Sequence, residues 1–241
     1  MSTHVITRGA QVQTAVPATA RRQLAWLVAG LALGFVVPFV LADTLELPRD
    51  LYYGLYAAAV LSFFALWARS TGQALGEMLR RRWLLTTALA LVAGGVLVFI
   101  VLGKDATSRP DGIALVAAVL WRGIVYGAVD GLLLSAFPIL AVFAMFAGTK
   151  TRRRLTGKIA IGFAALVASV ALTAVYHVGY SDFRSDKVRQ PIAGDVVWSV
   201  PTLVTLNPIG APIAHAAMHT AAVLHSYETD VFLPPHAEDG R

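Results

Sequence analysis

Two histidines, His215 and His219, sit one helical turn apart in an otherwise apolar stretch, Ala211-Pro-Ile-Ala-His215-Ala-Ala-Met-His219-Thr-Ala-Ala-Val-Leu224. A third, His177, closes the preceding apolar run at Leu172-Thr-Ala-Val-Tyr-His177. Asp130 is the only carboxylate inside the apolar runs. An ionisable side chain at membrane depth is costly, so each of these residues calls for a partner or a task. Residues at i and i+4 project from one helical face, so His215 and His219 can point together at one proton, water or ion. Asp130 needs a cation or a donor, and either Arg122, two turns away on its own helix, or a histidine can serve. Several chemistries suit this set. Carboxylate and imidazole can activate water by general acid–base catalysis. His177, His215 and His219 can ligate zinc and leave a position open for water. His177 and His215, on two helices, can ligate haem. Asp130 with the histidines can also relay protons.

The elements that must position them are membrane helices. Of the 241 residues, 57% are hydrophobic and 14% charged, where a soluble domain carries about 25% charged residues. Mean hydropathy is +0.66. The absence of cysteine excludes disulfides, thiolate metal sites and a cysteine nucleophile. The net charge of +6 does not point to nucleic acid, because most basic residues flank apolar runs.

Those runs cover 24–42, 51–68, 83–102, 112–147, 159–180 and 196–226. Val40-Leu-Ala42 has the form of a signal cleavage site, but the apolar part and its leader are both long for a signal peptide, so the first run reads as a span. The expected fold is all-α: a multi-pass transmembrane helical bundle of about six spans plus an interfacial or broken helix. Residues 1–23 form a flexible cytoplasmic tail, 24–226 a single membrane domain and 227–241 a short polar tail. Loops alternate in charge. Arg8, Arg21 and Arg22, then Arg69 and Arg80 to Arg82, then Lys150, Arg152 to Arg154 and Lys158 mark the basic ones, and the others are mixed or acidic. Lys/Arg-rich loops are cytoplasmic, which predicts a cell-membrane protein with its N-terminus inside and a pocket at His177 in the outer half.

Two runs depart from a simple span. As one helix, 112–147 would measure about 54 Å against a hydrocarbon core of about 30 Å. One crossing plus a helix along or dipping into the outer face is expected; Pro138 is a natural break, though neighbouring helices can accommodate a membrane proline. In the last run, Asn207-Pro-Ile-Gly210 predicts a short segment, a break and then the histidine helix. Irregular backbone at depth must be covered by protein or line a cavity, so the break is a second pointer to a site near His215. On 121–131, Arg122, Tyr126 and Asp130 form one i+4 stripe and Gly123, Gly127 and Gly131 another. The glycines predict close approach of a neighbouring helix. Ser169, Ser199 and Thr205 lie in no Gly-x-Ser-x-Gly setting, and position 216 is Ala where a zincin carries glutamate.

The order Asp130, then Thr173-Ala-Val-Tyr-His177, then His215-Ala-Ala-Met-His219 resembles the CPBP family, the CAAX-protease and bacteriocin-processing membrane proteins. That family's pattern is Glu-Glu-x-x-x-Arg, Phe-x-x-x-His and His-x-x-x-Asn/Asp. Here a single Asp stands for the glutamate pair, Thr for Phe and His for Asn, over roughly residues 112–226. The resemblance implies an intramembrane peptidase in which Asp130 and His177 activate water while His215 and His219 stabilise the tetrahedral intermediate. The substrate would be a membrane-associated peptide or protein, beside the lipid bilayer itself as partner. The competing expectations are an inactive scaffold or accessory protein of the same fold, and a proton-coupled transporter or haem-binding protein.

Overall fold

The structure, a computed structural model, describes residues 18–228, 232 and 233. Most of the expected N-terminal tail, and all of the C-terminal one beyond 228 except Phe232 and Leu233, lies outside the described residues. Among the described residues the chain is an all-α bundle with no strand. Its helices are α1 (Thr19–Thr44), α2 (Arg49–Thr71), the short α3 (Leu75–Arg80), α4 (Trp83–Leu102), α5 (Gly112–Met145), α6 (Leu155–Val178), α7 (Arg189–Thr205) and α8 (Gly210–His225). Five of them, α1, α2, α4, α5 and α6, are long and apolar enough to cross a membrane, which makes this a membrane protein. Large apolar side chains point outward along their length, among them Phe99, 79% exposed, and Phe163, 69% exposed. That outward surface is what a lipid-facing helix presents.

The helix α5 is the centre of the bundle. Its most apolar window is 72% buried, against 17% for α1. The others pack round it. Tyr53 stacks on Tyr126, and Phe63 and Trp67 meet Phe137, so α2 runs alongside α5. Ser169 reaches the carbonyl of Leu134 at 3.0 Å, tying α6 to it. Near the start of α1, Gln23 is buried and accepts from Trp67 Nε1 at 2.8 Å. The helix therefore begins inside what composition marks as a tail.

The expected break at Pro138 is absent. Gly112–Met145 is one continuous helix, about 51 Å long at 1.5 Å per residue. Instead of breaking, it widens twice, into π-helical turns at Val119–Val125 and Leu132–Ala136. Pro138 follows the second. Its ring removes the N–H that would bond the carbonyl of Leu134, and the Ser169 hydroxyl takes up that carbonyl instead. A neighbouring helix thus repairs the defect that would otherwise have ended this one.

The last run is a helical hairpin. Thr202 of α7 faces Ala211 of α8, and Trp198 faces His215, as in an antiparallel pair. The break at 206–209 is internally satisfied. Thr202 Oγ1 donates to Asn207 O (3.1 Å) and accepts from Ala211 N (2.9 Å), and Asn207 Oδ1 accepts from Ile209 N (3.1 Å). The Asn207 amide also donates to the carbonyls of Leu79 and Arg81, both at 2.9 Å. This apex therefore packs on the basic turn between α3 and α4. At the opposite end α8 meets the 103–111 loop, where His225 Nε2 bonds the Lys104 carbonyl at 2.9 Å.

Candidate active site

The π-helical turns of α5 bracket Tyr126–Gly131, the segment that carries Asp130. Single π turns inside α-helices are frequent at functional sites, because they re-aim the side chains that follow. The glycine stripe does what its spacing predicts. A Cβ at Gly127 would lie 2.8 Å from Ala216 Cα, and one at Gly131 would lie 2.9 Å from Ala211 O and 3.0 Å from His215 Cβ. With no side chain in the way, α8 lies directly on α5. That contact sets the histidines beside Asp130.

Asp130, His215 and His219 are each 2% exposed. Asp130 Oδ2 is 3.8 Å from His215 Nε2 and 3.9 Å from His219 Nε2, and the two Nε2 atoms are 3.2 Å apart. The other oxygen, Oδ1, accepts the Tyr56 hydroxyl at 2.6 Å. Tyr56 therefore fixes the carboxylate and turns Oδ2 toward the imidazoles. Among the described residues neither histidine Nδ1 makes a hydrogen bond. Trp198 lies flat against His215, with centroids 4.2 Å apart and planes 10° apart, and Tyr126 meets His219 edge-on at 5.1 Å. Aromatic faces and edges thus hold both rings in place.

His177 enters from α6. Its Nδ1 donates to the Thr173 carbonyl at 2.8 Å. A carbonyl can only accept, so neutral His177 presents Nε2 as a base. His177, Asp130, His215 and His219 all line one cavity of about 360 Å³, whose remaining wall is mostly apolar, with Leu97, Ile100, Val197 and Met218. The tight donor cluster is Asp130, His215 and His219, whose ligand atoms lie within 4.8 Å of one another. Of the expected three histidines and one carboxylate, Asp130, His215 and His219 form this cluster, and His177 lines the same cavity outside it.

Other expectations change as well. Arg122 does not pair with Asp130. Its guanidinium makes two 2.8 Å bonds to Asp50 and also donates to Tyr227, near the end of the bundle. The hairpin break does not line this cavity; it lies at the apex.

Two groups had no sequence signal assigned to them. One is a tyrosine chain behind Asp130, in which the hydroxyl pairs Tyr126–Tyr176, Tyr176–Tyr180 and Tyr52–Tyr180 are 2.6, 2.7 and 2.6 Å apart. The other surrounds Asp195, which composition grouped with the loop acids. Asp195 is buried in α7; its Oδ1 accepts from Ser199 at 3.1 Å and lies 3.0 Å from Ser169 Oγ, whose one proton it shares with the Leu134 carbonyl, and Ser135 is bonded to Ser199 at 2.7 Å. Among the described residues Ser169 and Ser199 make no hydrogen bond to a histidine, and Thr205 returns its hydroxyl to Pro201 O at 2.6 Å. The i+4 pairs Asp195/Ser199 and Ser169/Thr173 were the available signal. No family model, curated protein or solved structure matches this chain.

Proposed function

We propose that this protein is a membrane-embedded hydrolase that cuts a peptide bond at the Asp130–His215–His219 cluster. The observation that carries the reading is the convergence of one carboxylate oxygen and two imidazole nitrogens, 3.2 to 3.9 Å apart, on a cavity that His177 also lines. Four ligands around tetrahedral zinc at about 2.1 Å stand about 3.4 Å from one another, so the three donors suit one divalent cation with a position left for water. When bound, such an ion supplies an activated water and polarises a carbonyl. The chain's own groups do the rest. Tyr56 orients Asp130, Trp198 holds the His215 ring, and His177 Nε2 is free to take a proton from water and return it to the leaving amine. The apolar cavity wall selects an apolar side chain next to the scissile bond and keeps bulk water out.

A second version needs no metal. The 3.2 Å contact between His215 and His219 lets one imidazole donate to the other without an ion. The resemblance to the CPBP family assigns water activation to Asp130 and His177, and the oxyanion to His215 and His219. A haem reading fits less well, because Asp130 and His219 already occupy the space within 3.8 Å of His215 Nε2.

The test is cleavage of fluorogenic apolar peptides by the detergent-purified protein, with elemental analysis alongside. Stoichiometric zinc, lost in His215→Ala, with activity lost to a chelator, supports the metal version. Chelator-resistant cleavage that still requires Asp130 supports the metal-free one. Wild-type turnover no higher than that of Asp130→Asn overturns the hydrolase and favours a scaffold. We place the N-terminus and the basic turns on the cytoplasmic side of the cell membrane and the cavity in the outer half. Because the chain has no cysteine, single cysteines at Glu46 and Lys150 would report the two sides by accessibility labelling. Labelling of position 150 from outside would reverse the orientation.

A further inference from the structure

We propose that a groove between α6 and α7, at the basic end of the bundle, binds an anionic phospholipid. The groove has a volume of about 620 Å³. Arg81, Arg82, Arg152 and Lys158 line it, and no carboxylate does. Among the described residues, Arg81, Arg82 and Lys158 have no ion-pair partner. Its other wall is apolar and outward-facing: Ile159 and Phe163 on α6 are 64% and 69% exposed, and Val204 on α7 is 50% exposed. The cations and the apolar wall are continuous, which is the layout of a phosphate headgroup above an acyl chain. A soluble anion would use only the first part. Basic pockets between membrane helices recognise anionic headgroups in this way.

The groove is held in shape by the hairpin apex. Arg82 and Leu206, both lining it, have left-handed backbone, with φ of 49° and 56°. Non-glycine residues keep that conformation only where their surroundings enforce it. Asn207, next to Leu206, supplies the enforcement by binding the carbonyls of Leu79 and Arg81. Arg152 is positioned by the Phe143 carbonyl at 3.4 Å, with its guanidinium 6.0 Å from the Phe143 ring. The backbone that carries Arg81 and Arg82 and the side chain of Arg152 are therefore set before a ligand arrives. This inference is independent of the chemistry at Asp130.

The full chain, purified in neutral detergent, is examined by native mass spectrometry and thermal melting with phosphatidylglycerol, phosphatidylcholine or glycerol 3-phosphate. Phosphatidylglycerol is expected to be retained preferentially and to raise the melting temperature, while glycerol 3-phosphate does neither. Removing one cation weakens retention by about 5-fold. The double substitution Arg152→Gln/Lys158→Gln brings phosphatidylglycerol down toward the phosphatidylcholine level, and Lys104→Gln at the opposite end leaves it unchanged. Should the double variant not fold, Lys158→Gln alone carries the same test at an exposed position. Equal retention of the two lipids, unchanged retention in the Lys158 variant, or competition by glycerol 3-phosphate as effective as the lipid would each overturn the proposal.

Discussion

Asp130 and Asp195 are the same residue type, 2% and 0% exposed, in the bodies of neighbouring helices. Their surroundings differ in kind. Asp195 Oδ1 sits among hydroxyls from three helices, with Ser199 donating to it, Ser169 within 3.0 Å and Ser135 behind them, while its Oδ2 is buried with no hydrogen-bond partner among the described residues. Asp130 receives one strong donor, Tyr56, on Oδ1, and turns Oδ2 toward two imidazoles and a cavity. The first carboxylate is a knot between α5, α6 and α7. The second turns an oxygen to the cavity. Burial and an unpaired oxygen do not by themselves distinguish the two acids; what that oxygen faces does, since Asp130 lines the cavity beside two imidazoles and Asp195 does not. The two are also linked, because Trp198, beside Asp195, covers the His215 ring.

Substitutions can break or sharpen this contrast. Asp130→Asn should lower turnover by about 10²- to 10⁴-fold, the range for a general acid–base group, with the melting temperature unchanged. A matching fall in melting temperature would assign Asp130 to structure. Next in size is Gly127→Leu. Its side chain would drive into Ala216 and His219, costing about 1–3 kcal/mol of overpacking and parting the histidines from Asp130. Thermal melting and zinc content should both fall, and retention of full zinc would show that α8 tolerates a shift.

Asp195→Asn should do the reverse of Asp130→Asn, removing about 1–3 kcal/mol of stability by mispairing buried hydroxyls. That corresponds to a melting shift of about 2–4 °C per kcal/mol for a chain of this size. Its turnover should stay within a small factor of wild type when measured well below the melting temperature. Tyr56→Phe is the gentlest change. It removes one donor to Asp130 and should cost about tenfold or less in turnover, in line with a net hydrogen bond of about 0.5–1.5 kcal/mol. No change at all would mean that the carboxylate needs no orienting partner.

Much of this contrast is legible in the chain, but unevenly. His215 and His219 announce themselves because i+4 spacing alone sets them on one face, and the glycines at 123, 127 and 131 announce a close helix contact without saying which helix makes it. The break at Asn207-Pro208 follows from local backbone chemistry. What escapes is whatever depends on contacts between distant segments. Tyr52, Tyr56, Tyr126, Tyr176 and Tyr180 come from α2, α5, α6 and the turn after it, and an isolated tyrosine in an apolar run looks like ordinary core. Asp195 reads as a loop acid because α7 starts earlier than its apolar stretch. Pro138 reads as a break because the hydroxyl that rescues its turn lies 31 residues further on, at Ser169. The π turns carry no residue signature.

The hairpin of α7 and α8 has a consequence for biogenesis. Its arms are 17 and 16 residues long, short of the about 20 residues that a membrane-crossing helix needs, and the second carries buried imidazoles. Neither arm is suited to enter a bilayer alone. Joined at Asn207, they can enter as one unit whose polar groups are matched by α5 and α6, already in place. The cleft that receives His215 and His219 therefore has to be assembled before the histidines arrive. Any chemistry at this cluster waits until α8 docks.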